Sequence, residues 1–294
     1  IEPDDFKQHG GNLGTSDIAI VLDSVLNCHN KNDISIFISD CIVSLGGKYS
    51  SPQDMNSYLI EQRTNIRKLF TQTLERADKE LTVVICQLNS LFDGKFFNKF
   101  DHPKYYKGER PFYIWLIGKT SHIKQLLDKV ALETLKGNGA ELENVYTLIA
   151  SSKEIDYRIL LMPRLGRFDL DRENPKTTIC NIRKENKGEQ KGVFMFSVGA
   201  NLDQLPLSDN YLLDNTNYEI SNKDYSLQIK KQNGGLFSYI FNISSQTISR
   251  GNIIITLKNQ FPIWVENKTD FLGNDLVKDD ATNKTYGLKY LIEG

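Results

Sequence analysis

Three short, almost continuously apolar runs constrain this chain more than anything else in it. They are ISIFIS before Asp40, LTVVICQL over Leu81–Leu88, and FYIWLIG ending at Gly118. Each is far too short to cross a bilayer, and each is rich in the β-branched and aromatic residues that favour strands. A strand that is apolar on both sides must be covered on both sides. The runs therefore predict buried strands, and what lies between them should supply the covering helices.

The intervals carry helical spacing. Ile18, Val21, Leu22, Val25 and Leu26 recur with a helical period, behind Thr15, Ser16 and Asp17 as candidate N-caps. IAIVL is continuous enough for a strand, but the stripe extends past Asp23 and favours the helix. Asp54–Lys79 predicts a long helix with Leu59, Ile66, Phe70 and Leu74 on one face. Thr120 and Ser121 offer a cap for a helix running to about Leu135, with Ile123, Leu126, Leu127 and Val130 on its apolar side. Asn89–Arg110 is aromatic, polar and rich in turn residues, with room for a short hairpin. Strand, helix, strand, long connection, strand, helix predicts parallel pairing with right-handed crossovers. The expectation is an α/β three-layer Rossmann-like unit over residues 1–137, with an opening strand upstream of Ile1.

After Gly137-Asn138-Gly139 the helical period fades. Short runs rich in Ile, Val, Phe, Tyr and Thr alternate with polar turns, at 145–150, 157–162, 177–182, 192–198, 225–231, 236–243, 252–258 and 286–292. Lys231–Gly235, KQNGG, has the composition of a hairpin turn. This half predicts an all-β, sandwich-like domain over residues 138–294. A length of 294 residues suits two domains.

Charge excludes one class of partner. With 36 basic and 37 acidic residues, the net charge of −1 provides no field to gather a polyanion, so nucleic acid is not expected. No membrane span is expected either. Cys28, Cys41, Cys86 and Cys180 form no CxxC pair and read as free, buried thiols. Hydrolytic signatures are absent: there is no G-x-S-x-G or H-E-x-x-H, and His9, His29, His102 and His122 are scattered. Gly118-Lys119-Thr120 lacks the upstream glycine of a phosphate loop.

Asp40 ends the first apolar run, and Ser44 follows in the next loop. The carboxyl end of a buried parallel strand is where loops converge on ligands. Asp40 also fits an Asx turn, and Thr15–Asp17 also fits a plain helix cap. Phe92, Phe96, Phe97, Phe100, Tyr105 and Tyr106 are interleaved with Lys95, Lys99, Lys104, Lys107 and Arg110. This segment reads either as a stacking surface or as an insertion with packed rings and wet lysines.

GGNLGTSDIAIVL followed by IFISD resembles part of a von Willebrand factor A domain, over roughly residues 10–135. Thr15 stands in that family's Thr-loop position and Asp40 in its later Asp position, while the family's D-x-S-x-S motif is absent. The resemblance implies a divalent cation, Mg²⁺ or Ca²⁺, held by Thr15 and Asp40 with Ser16, Asp17 and Ser44 on the rim. It implies a protein partner that presents an acidic residue to that cation. Two other readings stand beside it: a metal-assisted hydrolase or transferase using Asp40, and a structural assembly component without a metal.

Overall fold

The structure, a computed structural model, describes residues 17–46, 49, 51–77, 79–137, 139–151, 154–272 and 283–294. Two compact units emerge. Unit 1 comprises 1–152 and 261–294, and unit 2 comprises 153–260. The chain thus leaves the first unit and returns to it. The expected boundary at 137/138 falls inside a sheet, because the strand that follows pairs with the strands before it.

In unit 1, α1 (Ile18–Cys28), β1 (Ile34–Ser39), α2 (Pro52–Arg76), β2 (Glu80–Phe97), β3 (Pro103–Gly118), α3 (Thr120–Lys129), β4 (Lys136–Gly137) and β5 (Ala140–Ser151) follow in order. The sheet runs β1-β3-β2-β5-β4, and every neighbouring pair is antiparallel. The parallel, crossover-linked Rossmann-like sheet is corrected here: the chain is mixed α and β with mostly antiparallel sheets. The cause is the segment 89–110. Instead of a long connection, it extends β2 and β3 into one hairpin paired from Thr82–Gly118 to Phe97–Pro103. A connection that short permits only antiparallel pairing. Asn98 closes the turn, its Oδ1 accepting the amides of Phe100 and His102 at 3.0 Å each.

Alternation along β2 sorts the two faces. Val83 and Ile85 join Tyr113, Trp115 and Ile117 beneath α1 and α2, together with Leu22, Leu26, Phe37, Leu59 and Ile66. Val84, Cys86 and Leu116 point the other way, against Ile123 of α3. Trp115 anchors the first face, with its ring edge-on to Phe37 at 6.0 Å and stacked with Phe70 at 6.4 Å.

Unit 2 is β-rich. It holds β6 (Tyr157–Leu165), β7 (Arg167–Leu170), β8 (Ile179–Arg183), β9 (Phe194–Ala200), α4 (Asp209–Leu213), β10 (Tyr218–Ile220), β11 (Ser226–Lys231), β12 (Tyr239–Ser245) and β13 (Ile255–Leu257). A four-stranded antiparallel sheet runs β11-β12-β9-β6, and β7–β8 and β10–β13 form two short ribbons. Phe194, Phe196, Tyr239, Phe241 and Ile243 point to one face of the sheet, as strand alternation requires. There they pack with Phe168 of β7 and Tyr218 of β10. The KQNGG turn joins β11 to β12, with Gln232 N–H donating to Ser238 C=O at 2.8 Å.

The last stretch belongs to unit 1: α5 (Ile263–Asn267), β14 (Thr269–Asp270), β15 (Thr285–Tyr286) and α6 (Leu288–Glu293). Residues 286–292, expected as a strand, are mostly helix. Leu288, Leu291 and Ile292 are spaced to line one side of a helix, and all three are buried. Trp264 packs on the unit 1 core. Gly287 makes the tight entry into α6 at φ +76°, where a Cβ would lie 2.6 Å from Val43 Cγ2 and 2.9 Å from Leu59 Cδ2. Gly287→Ala should therefore destabilise the protein by about 1–3 kcal/mol, through overpacking and a left-handed backbone. Urea unfolding compared with wild type checks this.

Candidate functional site

The expected cation site divides across three local structures. Thr15 and Ser16 lie outside the described residues. Asp17 caps α1, its Oδ1 accepting Ala19 N–H at 3.0 Å and Ile20 N–H at 3.2 Å. Ser44, in the loop after β1, docks on the β2–β3 turn. Its hydroxyl donates to Asp101 Oδ1 at 2.6 Å, and Leu45 N–H beside it donates to Lys99 C=O at 2.6 Å. No hydrogen bond joins Asp17, Asp40 and Ser44 to one another among the described residues.

Asp40 follows β1 directly, and the chain then breaks direction at Cys41, whose φ is +55°. Asp40 Oδ1 accepts Ile42 N–H at 3.4 Å, a long contact in the Asx-turn arrangement. Its Oδ2 stands 3.9 Å from Arg110 Nη2. Although 45 % of the Asp40 side chain is open, the protein around it pushes the carboxyl up from its ordinary value, with Arg110 pulling the other way. Among the described residues, no three His, Cys, Asp or Glu side chains are grouped to hold a metal. The positive charge beside Asp40 is Arg110.

Arg110, one of the interleaved cations of this segment, is buried. Its guanidinium lies 3.8 Å from the centroid of the Phe96 ring and 5.6 Å from that of Phe92. A planar, weakly hydrated cation suits such a place better than a lysine. Lys99 is buried too. Its Nζ donates to Leu272 C=O at 2.6 Å and lies 4.8 Å from the Phe100 centroid and 5.1 Å from that of Tyr286. The aromatic segment is thus mainly packed, with two of its cations seated on rings.

A second polar knot fixes β5. The β2–β5 register slips after Gln87, so that Glu143 is the extra residue of a bulge. Glu143 accepts Gln87 Nε2 at 3.0 Å, Asn89 Nδ2, and Lys268 Nζ at 2.7 Å. These bonds tie the returning C-terminal segment to the sheet. The four cysteines are free, with Cys41 and Cys86 buried but Cys28 exposed.

The outer edge of β1 differs from the rest of unit 1. β1 ends the sheet, and among the described residues its backbone hydrogen-bonds to β3 alone. Phe37 points into the core, while Ile36 and Ile38 are 59 % and 60 % exposed on the opposite face. The strand was expected to be buried on both faces, but α3 packs on β2 and β3 and leaves these isoleucines bare. Residues 34–39 contain neither charge nor proline, the usual protections of an edge. The two edges of the four-stranded sheet are guarded: β11 carries Lys230 and Lys231, and β6 gives Ile159 N–H to Lys176 C=O.

No family model, curated protein or solved structure matches this chain. No described helix is long and apolar enough to cross a membrane.

The Asp40–Arg110 pair yields two expectations. A carboxyl whose pKa is raised on folding contributes most at low pH, and that contribution is lost as pH rises through the folded value. Asp40→Asn escapes the loss, so its urea stability should improve relative to wild type from about pH 3 to about pH 7. A relative decline over that range would mean that attraction to Arg110 outweighs burial. Arg110→Lys loses the flat stacking on Phe96 and should cost about 1 kcal/mol in the same assay.

Proposed function

We propose that this chain is a protein-binding module that receives an extended segment of its partner along the outer edge of β1. One observation carries the reading: β1 is an uncharged sheet edge, without proline, flanked by two exposed isoleucines. Strand addition would satisfy the edge's backbone groups and lay the partner's side chains beside Ile36 and Ile38. Affinity then comes from the ladder and specificity from alternate side chains.

This route to a partner requires no cation. An acidic partner residue bridged by Mg²⁺ or Ca²⁺ at Thr15 and Asp40 would have Arg110 within 3.9 Å of Asp40 Oδ2, where one positive charge already stands. The von Willebrand factor A arrangement belongs to the ends of parallel strands, and β1 is paired antiparallel. Asp40, turned toward Arg110 and Ile42 N–H, is better explained as a strand terminator than as a metal ligand or catalytic base.

Selection from a displayed library of random peptides of about ten residues tests the reading. The chain should enrich extended apolar sequences whose binding slows amide deuterium exchange across residues 34–39. Ile38→Lys should weaken that binding by about tenfold, and EDTA should leave it unchanged. Equal enrichment by wild type and Ile38→Lys would defeat the proposal.

A further inference from the structure

We infer that the β7–β8 ribbon of unit 2 binds a phosphate group between Arg167 and Arg183. The two residues stand directly opposite one another in the antiparallel pair. Directly opposed residues share a face, with their Cα atoms about 5 Å apart. Phe168 is buried in the core of unit 2 and Ile182 packs on it, so both arginines point away from that core, and both are exposed. Like charges set opposite each other destabilise a ribbon, and nothing in the packing of unit 2 calls for this pair.

A bulge creates the pairing. Leu170–Ile179 and Asp169–Cys180 set a register that, continued, would bring Ile182 opposite Arg167. Instead β8 contributes one extra residue, Asn181 takes φ +51°, and the register advances to Arg183. Bulges re-aim side chains in this way, often next to sites. Asn181 Nδ2 donates to Asp169 Oδ2 at 2.9 Å across the ribbon. At the ribbon's end a Cβ on Gly166 would lie 2.2 Å from Arg183 C=O, so the strands are held close there.

The nearby acids are engaged by amides. Asp171 Oδ1 accepts Glu173 N–H at 3.0 Å and Asn174 N–H at 2.9 Å. Glu185 accepts the N–H groups of Gly166, Asn186 and Lys187 at 3.3, 2.9 and 3.2 Å. These bonds hold its carboxyl below the ordinary value, with Arg167 adding a smaller pull. Among the described residues, neither Arg167 nor Arg183 makes a hydrogen bond or an ion pair. Two guanidinium forks on one face match an anion with several oxygens. A phosphate monoester carries close to two negative charges at neutral pH and balances both arginines, whereas a carboxylate balances one.

Calorimetric titration of the full chain at low ionic strength tests this. The probes are inorganic phosphate, acetate, and a short peptide of phosphoserine flanked by glycines. Phosphate should bind with a dissociation constant of about 1 mM, and acetate about tenfold more weakly. Arg167→Gln and Arg183→Gln should each weaken phosphate binding by about tenfold. With phosphate at about 10 mM, the wild type should melt about 3 °C higher than in chloride of equal ionic strength, and both variants should lose most of that gain. Circular dichroism establishes that the variants are folded. Tighter binding of the phosphopeptide than of phosphate assigns the group to a partner protein, and equal binding assigns it to a small phosphoester or free phosphate. Phosphate that binds no better than acetate overturns the inference, and so does phosphate binding that both variants retain in full.

Discussion

The long β2–β3 ladder is the constraint on which the rest of unit 1 depends. Its sixteen paired positions, from Thr82–Gly118 to Phe97–Pro103, place two strands back to back in the middle of the sheet. Near Gly118 both strands are apolar on both faces, which demands α1 and α2 on one side and α3 on the other. Toward the Asn98 turn the same strands become polar and aromatic, and the helical cover is gone. Strips of Phe92, Phe96 and Arg110 replace it, a cation lying on rings where a helix would otherwise sit. Burying a lone guanidinium is costly, so the aromatic faces and the carboxylate of Asp40 have to offset its lost hydration.

That arrangement also determines how β1 ends. Asp40 is drawn toward Arg110, Cys41 takes a left-handed conformation, and the next residues run to the β2–β3 turn, where Ser44 meets Asp101. An acid at a strand end is therefore used to turn the chain. Its carboxyl makes a long contact to Ile42 N–H with Arg110 beside it, an arrangement that serves the backbone. The Glu143 bulge plays a comparable part across the sheet: a charged side chain satisfied by two amides and a lysine holds a remote segment in register.

Much of the core was legible because burial leaves a periodic trace. Leu22 and Leu26, Leu59 and Ile66, Val83 and Ile85, and Trp115 all take the places their spacing implies. Strand direction leaves no such trace. Nothing in LTVVICQL distinguishes a parallel from an antiparallel neighbour, and Asp93-Gly94 imitates a turn inside a continuous strand. Arg110 and Lys99 were misread for a related reason. A long charged side chain reveals its burial only through the rings around it, and Tyr286 is far away in sequence. The final helix escaped because YGLKYLI satisfies both a strand alternation and a helical stripe, and only docking on α2 decides between them. Of the candidate site, the helix cap at Asp17 and the Asx-type contact at Asp40 were legible as local alternatives; the exposed edge beside Asp40 was hidden because ISIFIS looks buried until its neighbours are known.

An unguarded edge is a cost to any chain that gains nothing from it, since each open backbone group invites pairing with other molecules. Both edges of the four-stranded sheet carry a lysine or a covering segment, and a single charge at position 36 or 38 would protect β1 without touching the core, because both side chains point to solvent. Phe37 is different: it is held by Trp115, so the strand's apolar character is only partly imposed by folding. Among the described residues, the two exposed isoleucines answer to no packing requirement within unit 1. Their exposure beside an edge without charge or proline is what the strand-addition proposal rests on.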